Sequence, residues 1–250
     1  MALEPPRALR SRAAFAAMLV LLVAATLGFV ALGVWQVERL AWKEALVARV
    51  DARVHAAPVP APEAAAWPGL TREAAEYRRV QVQGRFDPER QVTVAATTEL
   101  GAGYWVLTPL RSAGGSWLLV NRGFVPPGQR GDIAPPAGDV QVVGLLRWTE
   151  PGGGFLRANV PAQGRWYSRD VQAIAATMGL QGAVAPYFVD AQAVGGATGG
   201  WPRPGLTVVQ FPNSHLGYAL TWFAMAAGSV AAAVFLLRDA RRRRTGSAAP

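Results

Sequence analysis

The chain has 250 residues, 51% of them hydrophobic, a formal net charge of +9 and no cysteine. Without thiols it has no thiolate metal site, redox dithiol or covalent haem attachment. Six of the nine net positive charges lie in the tails, where Arg7, Arg10 and Arg12 stand against Glu4, and Arg238 and Arg241 to Arg244 against Asp239. This basicity reads as a flank of apolar segments and argues against a nucleic-acid surface.

Residues 1–12 form the first basic tail, and residues 13–34 that follow contain no charge. A helix of that length is about 33 Å long, enough for a hydrocarbon core of about 30 Å. The apolar region of a signal peptide runs only about 7–15 residues, so an uncleaved transmembrane helix is expected. Residues 216–237 repeat the pattern and lead into the basic tail 238–250. Positive flanks predict both termini in the cytoplasm and residues 35–215 in the periplasm of a bacterial inner membrane, with the lipid bilayer as a partner. Ala24 with Gly28, and Gly228 with Ala232, stand four apart, a spacing that lets two helices approach closely in lipid.

Beyond the first apolar block, WQVERLAWKEALVARV continues with good helix formers, so the helix is expected to run to about Val54. Residues 55–68 are rich in Ala and Pro and read as a loosely structured linker. Val80, Val82 and Gly84 then alternate with Gln81, Gln83 and Arg85, the period of a half-buried strand. Further strands are expected over Gln91–Thr97, Tyr104–Arg111, Ser116–Arg122, Val140–Trp148, Tyr187–Val194 and Leu206–Phe211. One helix, Val171–Met178, follows Asp170 as its N-cap. The expected fold is a membrane protein whose two transmembrane helices flank a mainly antiparallel β (α+β) extracytoplasmic domain, curved toward a small open barrel or a sandwich.

The chemistry on offer is sparse. His55 lies in the Ala/Pro linker and reads as a solvated loop residue. Ser214 adjoins His215 but neighbours on a helix do not face one another, so no triad forms. The glycine clusters GGGF at 152–155 and GGATGGW at 195–201 are not followed by the Lys and Ser/Thr of a phosphate loop and read as turns. Asp87 and Glu89 read as a solvated hairpin tip.

His215, at the outer end of the second apolar block, is different. With Tyr218, Trp222 and Met225 it makes a stripe at helical spacing. Two readings stand: an aromatic belt at a membrane interface, or a neutral imidazole that ligates a metal or haem, with Asn213 or Tyr218 holding its other nitrogen. One histidine without cysteine does not build a tetrahedral zinc site, whereas haem needs one or two axial ligands. Nothing points to bond-making chemistry, so the chain is not read as an enzyme.

Several segments together resemble the surfeit-locus (Surf/Shy) family of cytochrome c oxidase assembly proteins. The match opens on LGVWQVERLAWKEAL at 32–46, with Gly33, Trp35, Gln36, Arg39, Trp42 and Lys43 at the family's spacing. It continues through VQVQGRF at 80–86, PLRSAGGSWLLVNRGFVP at 109–126, WYSRD at 166–170 and PYFVDA at 186–191, and closes on NSHLGYALTW at 213–222. Phe124 stands where the family often has Trp. The resemblance implies a chaperone that holds haem a for the catalytic subunit of a haem-copper oxidase. On that implication His215 is the axial ligand, Tyr218 and Trp222 line the macrocycle, and Trp35, Gln36 and Arg39 close the opposite side, with Arg39 available to a propionate. Enzymes of haem a synthesis and a second copy of the chain are further expected partners. The alternative is a scaffold that docks oxidase subunits through the β domain without haem.

Overall fold

The computed structural model describes residues 7–130, 133–197, 199–207 and 213–246, with side chains from Arg12 to Arg242. The chain divides into two compact units, Met1–Ala48 with Gln210–Pro250, and Arg49–Val209.

The first unit holds two helices. Helix α1 covers Arg7–His55, one residue beyond the expected end, and its residues from Arg49 onward belong to the second unit. The other, the last element of the chain, covers His215–Gly246. Both are long and apolar enough to cross a membrane, over Arg12–His55 and His215–Arg242.

The second unit contains, in chain order, strand β1 (Val59–Pro60), helix α2 (Arg72–Ala75) and strands β2 (Arg79–Phe86), β3 (Val92–Thr98), β4 (Gly101–Ser112), β5 (Trp117–Val125) and β6 (Asp139–Trp148). A short hairpin, β7 (Gly153–Gly154) and β8 (Arg157–Ala158), precedes helix α3 (Val171–Thr177) and strand β9 (Val184–Val194), and the helix from His215 is then α4. Six of the seven expected strands and the expected helix are present. Of the seventh, Leu206 and Thr207 are in neither helix nor strand, and residues 208–211 lie outside the described residues.

The seven-stranded sheet has the order β1-β2-β6-β9-β5-β4-β3, and β2 also pairs with β4. The pairings β2-β6-β9-β5-β4 therefore return to β2. Gly84 permits the return: a Cβ there would lie 2.3 Å from the Arg111 carbonyl oxygen, on the strand that β2 meets second. The sheet is mixed, because β1 runs parallel to β2 and β5 parallel to β9. Parallel strands buried on both faces lose the alternation that marks a half-buried strand, and β5 is buried at every position from Leu118 to Val125.

One apolar cluster draws on all five ring strands, including Val80, Leu110, Val120, Leu146 and Val189. Intervening residues of β4, β5 and β9, Leu107, Leu119 and Phe188, pack instead with Val171 and Ile174 of α3 and with Trp166. Asp170 caps α3, its carboxylate accepting from the Ala173 amide at 3.2 Å.

The 55–68 segment is more ordered than its composition suggests. His55 closes α1, its Nδ1 3.0 Å from the Asp51 carbonyl oxygen, β1 pairs with β2, and residues 64–69 form a short 3-10 helix. The Pro62 carbonyl accepts from both the Trp67 indole at 2.9 Å and the Tyr187 hydroxyl at 2.7 Å. Trp67 and Ala61 pack on the ring-strand core. Burial, partly offset by Trp67, pushes the Tyr187 phenol up to about 12.

Candidate functional site

In the first unit α1 and α4 pack through residues that small-residue spacing did not indicate. A Cβ on Gly28 or Gly228 would meet nothing within 4 Å, whereas one on Gly33 would lie 2.6 Å from the Phe223 ring. The contact is a bulky ring over a glycine, flanked by Phe29 and Trp222, whose rings stack at 5.8 Å and 27°. Ala219 and Ala226 give α4 its buried face.

At the start of α4 the His215 Nδ1 stands 2.7 Å from Oε1 of Gln36, a buried residue of α1. A carboxamide oxygen only accepts, so Nδ1 is the donor in this contact, the tautomer in which a neutral imidazole carries its lone pair on Nε2. Nε2 has no hydrogen-bond partner among the described residues. The nitrogen is thus held by Gln36 and not by Asn213 or Tyr218. Asn213 instead accepts from the His215 backbone amide at 3.4 Å.

The other expected residues are more dispersed. Tyr218 is 56% exposed and Trp35 53%. Trp222 is half-buried against Phe29. Arg39 lies over the Trp42 ring of its own helix, 4.0 Å from the centroid. An imidazole with one nitrogen fixed and the other without a partner among the described residues could serve as an axial ligand to haem iron. Among the described residues no group of three His, Cys, Asp or Glu side chains is placed to hold a metal ion.

The second unit contains a charged cluster that sequence reasoning missed. Asp190 of β9, 1% exposed, accepts from Asn121 of β5 at 2.8 Å, Arg147 of β6 at 2.9 Å, Arg169 at 3.2 Å and Thr207 at 3.0 Å. Arg147 continues to Glu76 at 3.0 Å, and Arg169 to Glu150 at 2.6 Å. Burial alone would raise Glu150, but the hydrogen bonds and charge of Arg169, with Arg147, hold it below the usual carboxylate value. Burial would lower Arg169, and Asp190 and Glu150 outweigh it and raise the guanidinium. The cluster is a satisfied ion network, in which every charge is paired against its cost of burial.

Arg122 is different again. Only 3% exposed, it donates to Thr108 at 2.9 Å, the Ala134 carbonyl at 3.1 Å, Gln91 at 3.3 Å and the Ile133 carbonyl. Burial lowers its pKa to about 10. The one available signal for these sites was the motif segments themselves: VNRGF supplies Asn121 and Arg122, YSRD supplies Arg169, and FVDA supplies Asp190.

Comparison with known proteins agrees with those segments. The model of the SURF1 family matches residues 23–227. The chain is 35% identical over 223 residues to Surfeit locus protein 1 of Mus musculus, covering 79% of this chain and 68% of the relative. Against Surfeit locus protein 1 of Homo sapiens it is 34% identical over 224 residues, covering 79% and 70%. A SURF1-like protein of Monosiga brevicollis is 35% identical over 241 residues, covering 88% and 87%. With the family model and the relatives both matching most of the sequence, the chain belongs to the SURF1 family, the surfeit-locus family of cytochrome oxidase assembly factors.

Proposed function

We propose that this chain holds haem a during assembly of cytochrome c oxidase, with His215 donating an axial nitrogen through Nε2. The observation that supports this reading is the 2.7 Å contact between His215 Nδ1 and Gln36 Oε1. It orients the imidazole before any ligand arrives and leaves the lone pair of Nε2 free. Trp222, stacked on Phe29, stands seven residues along α4 from His215, and Tyr218, Trp35 and Arg39 are exposed on the two helices. One strong protein ligand suits a carrier, which must retain its cargo and then yield it to the catalytic subunit. The role is binding and delivery, not catalysis.

The remaining assignments follow from the charge flanks. Both termini lie in the cytoplasm, the helices span a bacterial inner membrane, and the β domain, read as a small barrel, is periplasmic. That domain docks the oxidase subunit, and enzymes of haem a synthesis or a second copy of the chain are further partners.

A scaffold without haem is the second reading. It is favoured by the commitment of Asn121, Arg169 and Asp190, drawn from three motif segments, to the network inside the β domain. The visible absorption spectrum of the full chain, purified from cells that make haem a, separates the two. A Soret and α band that copurify with the chain support the carrier, and a colourless protein that still captures oxidase subunits supports the scaffold.

A further inference from the structure

The β7–β8 hairpin presents Phe155 and Leu156 at its turn, 93% and 88% exposed, the two most exposed large apolar side chains among the described residues. Turn chemistry would fill such positions with Asn, Asp or Gly. Here Leu156 adopts a left-handed φ of 58°, a conformation that favours glycine. The chain therefore tolerates strain to hold two apolar side chains in water.

The base below them is firmly built. The Asn159 carboxamide accepts from the Tyr167 and Ser168 amides at 2.8 and 3.1 Å and donates to the Ser168 hydroxyl at 3.0 Å. Ser168 in turn donates to the Glu150 carbonyl at 2.7 Å, and Asp170 accepts from the Gly152 amide at 3.1 Å. The tip is a fixed projection on a braced base.

Above that base, with its Glu150 and Asp170, the charges of the hairpin have one sign. Between Pro151 and Arg169 the sequence has no acidic residue, and Arg157 and Arg165 are exposed. Arg157 lies over the Tyr167 ring at 5.5 Å and shares a cavity with Tyr104, over whose ring Arg130 lies at 4.4 Å. Apolar tips, arginines and tyrosines together match the boundary between acyl chains and anionic headgroups. The same chain carries two membrane-length helices, so lipid contact by the hairpin would be an intramolecular second event, for which a small apolar wedge suffices.

We propose that the Phe155–Leu156 tip inserts into the surface of an anionic bilayer, with Arg157 contacting lipid phosphate. The absence of native cysteine makes the test direct. The full chain carrying Leu156→Cys is labelled with an environment-sensitive fluorophore and placed in nanodiscs of mixed phosphatidylcholine and phosphatidylglycerol. The lipid carries a nitroxide high on its acyl chain, and Glu89→Cys, in an exposed turn, is the comparison site. The proposal expects a blue shift and loss of most emission at 156, little change at 89, and weaker quenching when Arg157→Glu is added to the 156 variant. Emission at 156 as in water overturns it. So does a blue shift without quenching, which would place a protein surface over the tip, and so does equal quenching at both sites.

Discussion

Asn121 and Asp190 stand opposite one another on the parallel strands β5 and β9, and the Asn121 amide donates to the Asp190 carboxylate at 2.8 Å. The pair occupies the seam where the only parallel partners in the ring meet, and Arg147 and Arg169 close on the same carboxylate from β6 and the loop before α3. Removing the carboxylate leaves two largely buried guanidinium groups with one acid fewer. Asp190→Ala is expected to lower unfolding stability by about 3–5 kcal/mol. Asn121→Ala, which loses a hydrogen bond to a charged group, is expected to lower it by about 1.5–3 kcal/mol. Thermal unfolding of the full chain in detergent orders the two variants, and a smaller effect for Asp190→Ala would contradict the network.

Acid should open the same cluster through Glu150. Its folded-state pKa lies below 4.5, so its stabilising contribution is complete above the unfolded value and disappears as pH falls through the lower folded one. Wild type is expected to lose stability more steeply than Glu150→Gln as the pH drops below about 4.5. Parallel acid titrations of the unfolding midpoint check this, and identical slopes would show that the network leaves Glu150 unaffected.

Tyr187 ties the Ala/Pro segment to the ring-strand core through Pro62. Tyr187→Phe keeps the buried ring and removes the bond, at about 1 kcal/mol. Hydrogen exchange and limited proteolysis should then rise over residues 55–68 with little change in β9. Protection equal to wild type would mean that Trp67 packing alone orders the segment.

How much of this was legible before the fold was known depended on which force shaped each piece. The strand at Val80–Phe86 showed itself because one face is buried and the other is not. By contrast, β5 and β9 have apolar runs on both faces, so their parallel pairing left no periodic trace. The order in 55–68 was hidden because it comes from Trp67 and Tyr187, 120 residues apart. Small-residue spacing rightly suggested that the helices pair but pointed to Gly28 and Gly228, because it reports glycine and not the ring that fills it; Gly33 and Phe223 make the contact. His215 and Gln36 were both legible as candidates. Their contact was not, since 179 residues separate them.

That contact makes Gln36 a positioning residue on the proposed reading. Gln36→Leu removes the acceptor for Nδ1 and is expected to weaken haem affinity by about 10–100-fold. Gln36→Glu restores an acceptor and should recover much of the loss. Haem titration of the three proteins in detergent measures this, and equal affinities would show that the contact does not orient the ligand.

Haem ligation by His215 is tested by the absorption spectrum of His215→Gly, prepared with haem a and then given free imidazole. If His215 is the ligand, the variant loses the wild-type haem spectrum and regains it when imidazole occupies the vacated position. A variant that keeps the wild-type spectrum and haem content without imidazole would contradict it.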